Sequence, residues 1–141
     1  MNEEFLASED EIAQRRELAS EVITALAAAG LSPRWEDEEG EEVPGAQVSV
    51  DKSADESGGV YVKWEVGPDL VDAVIRHHRA GNRAAPEMKL FDAITLAMRE
   101  AMLAILTSSH FTVERCDDPT HHPPMIYVVE KAGNRLLVWR S

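Results

Sequence analysis

A chain of 141 residues, 44% apolar and 28% charged, is long enough to bury one core and too mixed in composition to be disordered throughout. Its net charge of −12 repels phosphate backbones and anionic lipid, which argues against direct nucleic-acid and membrane binding. The strongly apolar run at 101–106 is far shorter than the roughly 20 residues that span a bilayer. The opening Asn2-Glu3-Glu4 lacks the positive charge of a secretory leader, and the single Cys116 suits a reducing compartment. A cytoplasmic location is the expectation.

The charge is unevenly placed. Residues 1–57 carry 16 Asp and Glu against 4 Lys and Arg, whereas residues 58–141 carry 10 of each. A basic protein surface is therefore the favoured partner.

In chain order, Ser8 followed by Glu11 reads as a capping box that opens a first helix. Ile12, Leu18, Val22, Ile23 and Leu26 supply its apolar stripe, with Arg15, Arg16 and Glu21 outside it, and Gly30 ends it. A short extended piece at 31–36 leads into an acidic loop ending at Pro44-Gly45. Strands are expected at 47–50 and 60–66. In the second, Val60, Val62, Trp64 and Val66 alternate with Tyr61, Lys63 and Glu65.

Pro68 suits the first position of a second helix whose face is Leu70, Val71, Val74 and Ile75, continued by His78. Pro86 opens a third and longer helix, expected to be the central one. Its wide apolar face is Leu90, Phe91, Ile94, Ala97, Met98, Ala101, Met102, Ile105 and Leu106. Strands at 111–116, 125–130 and 136–139 follow, the last two joined by a turn at Ala132-Gly133-Asn134.

The expected order is α-β-β-β-α-α-β-β-β. This is an α+β, two-layer domain spanning 1–141, with a mainly antiparallel sheet of five or six strands and helices on one face. Residues 8–66 and 87–140 share a plan of a helix and three strands, which admits an internal αβββ pseudo-repeat.

No catalytic signature stands out. Ser108-Ser109-His110 lacks a nucleophile elbow, and Ser57-Gly58-Gly59 precedes a strand instead of a phosphate-binding helix. The leading reading is a non-enzymatic binding module of inhibitor, immunity or anti-restriction type. Its contact set is Trp35, Glu36, Asp37, Glu38, Glu39, Glu41 and Glu42, where acids steer a basic partner and Trp35 reads either as the inward anchor of a short strand or as an exposed interface residue.

An alternative reading makes the chain a small metal-dependent enzyme or sensor. Cys116, Asp118, His121 and His122 offer thiolate, carboxylate and imidazole to an ion such as zinc. The same loop also reads as a proline-stiffened turn that needs no cofactor. His77-His78-Arg79 with Arg83 reads either as an anion patch or as cations complementing a helix C-terminus. A third reading is a structural homodimer formed through an edge strand.

Overall fold

The computed structural model describes residues 5–36, 43–116 and 124–132. Helix α1 (Glu9–Ala28) begins at the expected capping box. The Ser8 hydroxyl accepts from the Glu11 amide and the Glu11 carboxylate accepts from the Ser8 amide, both at 3.1 Å. It ends where the amides of Gly30 and Leu31 return to the carbonyls of Ala27 and Leu26, a closed C-terminal turn that redirects the chain.

Strands β1 (Arg34–Trp35), β2 (Gly45–Asp51) and β3 (Gly59–Glu65) follow, then α2 (Pro68–Arg79), α3 (Pro86–Ser108), β4 (Phe111–Cys116) and β5 (Met125–Lys131). Among the described residues the sheet has five strands in the order β1-β2-β3-β5-β4. All neighbours are antiparallel except β1 and β2, so the sheet is mixed. The expected strand at 136–139 lies outside the described residues. The two compared halves differ where they can be set side by side: β1 has two residues and runs parallel to its neighbour, while β4 has six and runs antiparallel.

Period-two alternation puts Ala46, Val48, Val60, Val62, Ile126 and Val128 on one face of the sheet. They join Ala19, Val22 and Leu26 of α1, Met102 and Leu106 of α3, and Phe111 in one buried cluster. Each fully buried Leu, Ile or Met contributes about 1.5–3 kcal/mol relative to exposure. The partner of α2 in this packing is α3. No described helix is long and apolar enough to cross a membrane.

Three helical expectations need correction. The stripe pattern puts Arg15 outside, but in the fold it turns inward and donates to the carbonyls of Asp51 (2.8 Å) and Ser53 (2.9 Å). A guanidinium can bury its stem and still satisfy two backbone acceptors. On α2 the sheltered row runs through Leu70, Ala73, Val74 and His77, whereas His78 and Ile75 face solvent. On α3 the buried stripe is Thr95, Arg99, Met102 and Leu106, and Leu90, Ala97 and Ala101 are exposed. Thr95 can be buried because its hydroxyl donates back to the Phe91 and Asp92 carbonyls.

Two local features set the strand registers. Between Thr112 and Val113 the β4–β5 ladder shifts by one residue, which brings Lys131 opposite Phe111. Its ammonium then reaches Glu21 at 3.2 Å and lies 5.4 Å from the Phe111 ring centroid. On the opposite face of the sheet, the Tyr127 ring lies where Gly59 would carry a Cβ; that atom would come within 2.5 Å of the ring.

At the α3–β4 junction His110 takes φ +72, a left-handed conformation that costs most L-residues energy. Replacing His110 with Gly is expected to raise stability by about 1 kcal/mol, read from chemical denaturation midpoints. Met102→Ala, which empties part of the core, is expected to lower it by about 2–5 kcal/mol on the same scale.

Candidate functional site

The edge of the sheet at β1 is built from the turn after α1. Ser32 takes φ +48, and the Ala46 amide donates to the Leu31 carbonyl at 3.2 Å. A Cβ on Gly45 would lie 2.7 Å from the Ser32 carbonyl oxygen, and Gly45 has φ +140, so only glycine permits this crossing. The crossing lays Arg34 beside Gln47 and Trp35 beside Val48, in parallel.

Trp35 therefore shares the face of Val48 and packs, half-buried, against the core. The Glu36 amide donates to the Val48 carbonyl at 2.8 Å, and the Glu36 carboxylate stands 3.1 Å from the Lys63 ammonium. Among the described residues the parallel ladder stops there. Beyond the end of β2, the Ala7 amide donates to the Lys52 carbonyl and the Ala54 amide to the Phe5 carbonyl. Val50 falls between these two pairings. Its amide and carbonyl point to the same edge as those of Val48, with no strand partner there among the described residues.

Two depressions flank this gap. One, of about 230 Å³, is lined by Arg16, Trp35, Glu36, Ser49, Val50 and Lys52. The other, of about 290 Å³, shares Glu36, Ser49 and Val50 and adds Asp51, Ser57, Tyr61 and Met125. Tyr61 and Tyr127 pair across β3 and β5 on the face away from the core, with ring centroids 5.2 Å apart. The Tyr61 hydroxyl donates to the Ser57 carbonyl at 2.8 Å. Burial pushes the Tyr61 phenol up from its ordinary value, with nearby Cys116 and Asp51 adding to the effect. It serves as a neutral hydrogen-bonding wall.

Of the expected partner-binding residues, Trp35 and Glu36 sit together at this edge. Asp37, Glu38, Glu39, Glu41 and Glu42 lie outside the described residues. Of the expected metal ligands, Cys116 is half-buried at the end of β4, opposite Met125. Asp118, His121 and His122 lie outside the described residues. Among the described residues no group of three or more His, Cys, Asp and Glu is placed to hold a metal ion. His77 and Glu87 stand 3.2 Å apart, which ties the end of α2 to the start of α3. The cations Arg76, His77, His78 and Arg79 occupy the last turn of α2, where they complement its dipole.

Sequence reasoning did not single out Arg16, Lys52 or the Tyr61–Tyr127 pair. The alternation of β3 does mark Tyr61 as facing away from Val60 and Val62. Nothing in the spacing brings Arg16 of α1 next to Lys52, because that proximity is tertiary. A second unforeseen group is Arg99, Glu100 and Arg115. Glu100 accepts from Arg115 at 2.6 and 2.9 Å and from the buried Arg99 at 3.1 Å. The Arg115 hydrogen bond, with Arg99 assisting, lowers the Glu100 carboxyl from its ordinary 4.5 to about 2.

No protein family, curated protein or solved structure matches this chain.

Because the folded value of Glu100 lies below its unfolded one, its stabilising contribution is complete above about pH 4.5 and fades as pH falls toward 2. Glu100→Gln is expected to lower the denaturation midpoint at pH 7, and the gap to the unsubstituted protein should close as the pH is taken down. A gap of constant size across that range would show that charge is not the cause.

Proposed function

We propose that this chain is a non-enzymatic binding module that recognises a basic protein surface, of inhibitor, immunity or anti-restriction type. The contact set is Trp35 and Glu36 together with Asp37, Glu38, Glu39, Glu41 and Glu42. The observation that carries the reading is the charge segregation: the first 57 residues hold the entire net charge of −12. Clustered acids raise the encounter rate with a basic partner and discriminate against acidic ones.

The described part of the edge supports it. Trp35 is fixed by packing, so contact with a partner orders little further at that position. Glu36 is anchored through its amide and leaves its carboxylate at the surface, where the acidic run begins. The same reading takes the domain as two layers, with helices on one sheet face and binding at the β1 edge. In the αβββ reading, residues 117–124 correspond in sequence to the acidic run.

The test is affinity capture from native lysate, comparing the natural chain with one in which Glu38, Glu39, Glu41 and Glu42 are changed to Gln. A basic protein retained by the first and lost by the second, with retention falling steeply as salt rises, is the expected result. An identical set of captured proteins, or an empty one for both, overturns the reading.

A further inference from the structure

The depression on the core side of the β2 edge carries a different chemistry from the acidic run. Within the overwhelmingly acidic residues 1–57, two of the four cations, Arg16 of α1 and Lys52 beyond β2, line the same depression. Both are exposed, and neither forms an ion pair among the described residues. The acid beside them, Glu36, already stands 3.1 Å from Lys63 of β3, which offsets its charge. The Asp51 carboxylate accepts from the Ser53 amide at 2.9 Å, which turns it to the loop.

The floor is Val50, whose amide donor and carbonyl acceptor have no ladder partner at this edge among the described residues, and one wall is the half-buried Trp35. The site thus offers two cations, one backbone donor, one backbone acceptor and an aromatic wall. A bare anion uses only the cations and the donor. A ligand matching all of these carries a carboxylate, an amide N–H, a carbonyl and an apolar side chain in close succession. That is the C-terminal residue of a polypeptide.

At about 230 Å³ the depression is smaller than the roughly 300–1,000 Å³ of drug-sized pockets, and it suits one terminal residue. The pairings that end at Val48 on one side and begin at Lys52 on the other exclude an added strand of ordinary length.

We propose that this notch captures the free C-terminus of a protein partner. The carboxylate lies between Arg16 and Lys52, the terminal main chain bridges to Val50, and the terminal side chain rests against Trp35. This is C-terminal carboxylate recognition combined with a single rung of strand addition. It does not depend on the acidic run.

The experiment uses the full chain, labelled with nitrogen-15, and two hexapeptides of sequence Gly-Ser-Gly-Ser-Gly-Phe, one with a free carboxylate and one amidated. The free acid is expected to shift the Val50 and Ser49 amide resonances saturably, and the amidated peptide to bind at least about tenfold more weakly. Arg16→Gln combined with Lys52→Gln should bring the free acid down to the level of the amide. Both residues are exposed, so the amide spectrum of that variant should otherwise remain that of the folded protein. The variant with Glu38, Glu39, Glu41 and Glu42 changed to Gln should bind the peptide as before, which separates this proposal from the preceding one.

Equal affinity for acid and amide overturns the proposal, as does saturation unaffected by the double substitution or an absence of saturable shifts at Val50. Inorganic phosphate matching the effect of the free acid at similar concentration also overturns it, because the notch is then only an anion site.

Discussion

Where the chain leaves α1, the Ser32 carbonyl passes so close to Gly45 that no Cβ fits between them, and the Ala46 amide closes onto Leu31. This backbone crossing fixes the direction of everything at that edge. It sends β1 along β2 in parallel, sets Trp35 on the core side, and aims Glu36 at Lys63. Among the described residues the pairing is short: the ladder ends at Val48, and Val50 has no strand partner at this edge. The two depressions and the base of the acidic run all lie downstream of that geometry. Any side chain at position 45 disturbs them together, because a left-handed backbone and a close contact coincide there.

The division of charge looks different once the fold is in view. The acidic first part is not left to itself. Lys63 reaches back to Glu36 and Lys131 to Glu21, while Arg15 satisfies carbonyls of its own half instead of a carboxylate. Exposed pairs of this kind contribute little to stability, about 0–1 kcal/mol each. Their effect is on where the potential is expressed. The acids they offset lie along α1 and beside β3, so the uncompensated charge is carried by other acids, including those at the α1 N-terminus. There Glu9, Asp10 and Glu11 favourably face the helix dipole.

Much of the architecture could be read directly from residue patterns. The capping box at Ser8, Pro68 and Pro86 as first-turn residues, and the alternation through Val60 and Val62 each depend on neighbours in sequence, and each appears in the fold. The differences involve polar side chains whose hydrogen-bond partners hydropathy does not reveal. A cation on a helix ordinarily lies outside, yet Asp51 and Ser53 bring two carbonyls to Arg15. Hydropathy ranks Leu90 and Ala101 above Thr95 and Arg99 because it does not register which polar side chains are satisfied. Thr95 satisfies itself within its own helix, and Arg99 has Glu100 at hand. At the candidate site, Trp35 and Glu36 were legible from composition, whereas Arg16 and Lys52 become neighbours only after α1 docks on the sheet.

The Tyr127 ring over Gly59 has a bearing on how the sheet assembles. β5 joins β3 across nearly half the chain, and the Tyr127 hydroxyl meets the Gly58 carbonyl from 69 residues away. Such long-range closure is slow and open to misalignment, since a shift of two residues keeps every side chain on its proper face. Only position 59 offers a bare backbone for the ring to cover. A shift toward Lys63 brings the ring onto the side chain of Tyr61, while a shift the other way carries it off the end of the strand. One aromatic residue and one missing methyl group thus act as a key and its ward, admitting the late strand in a single alignment.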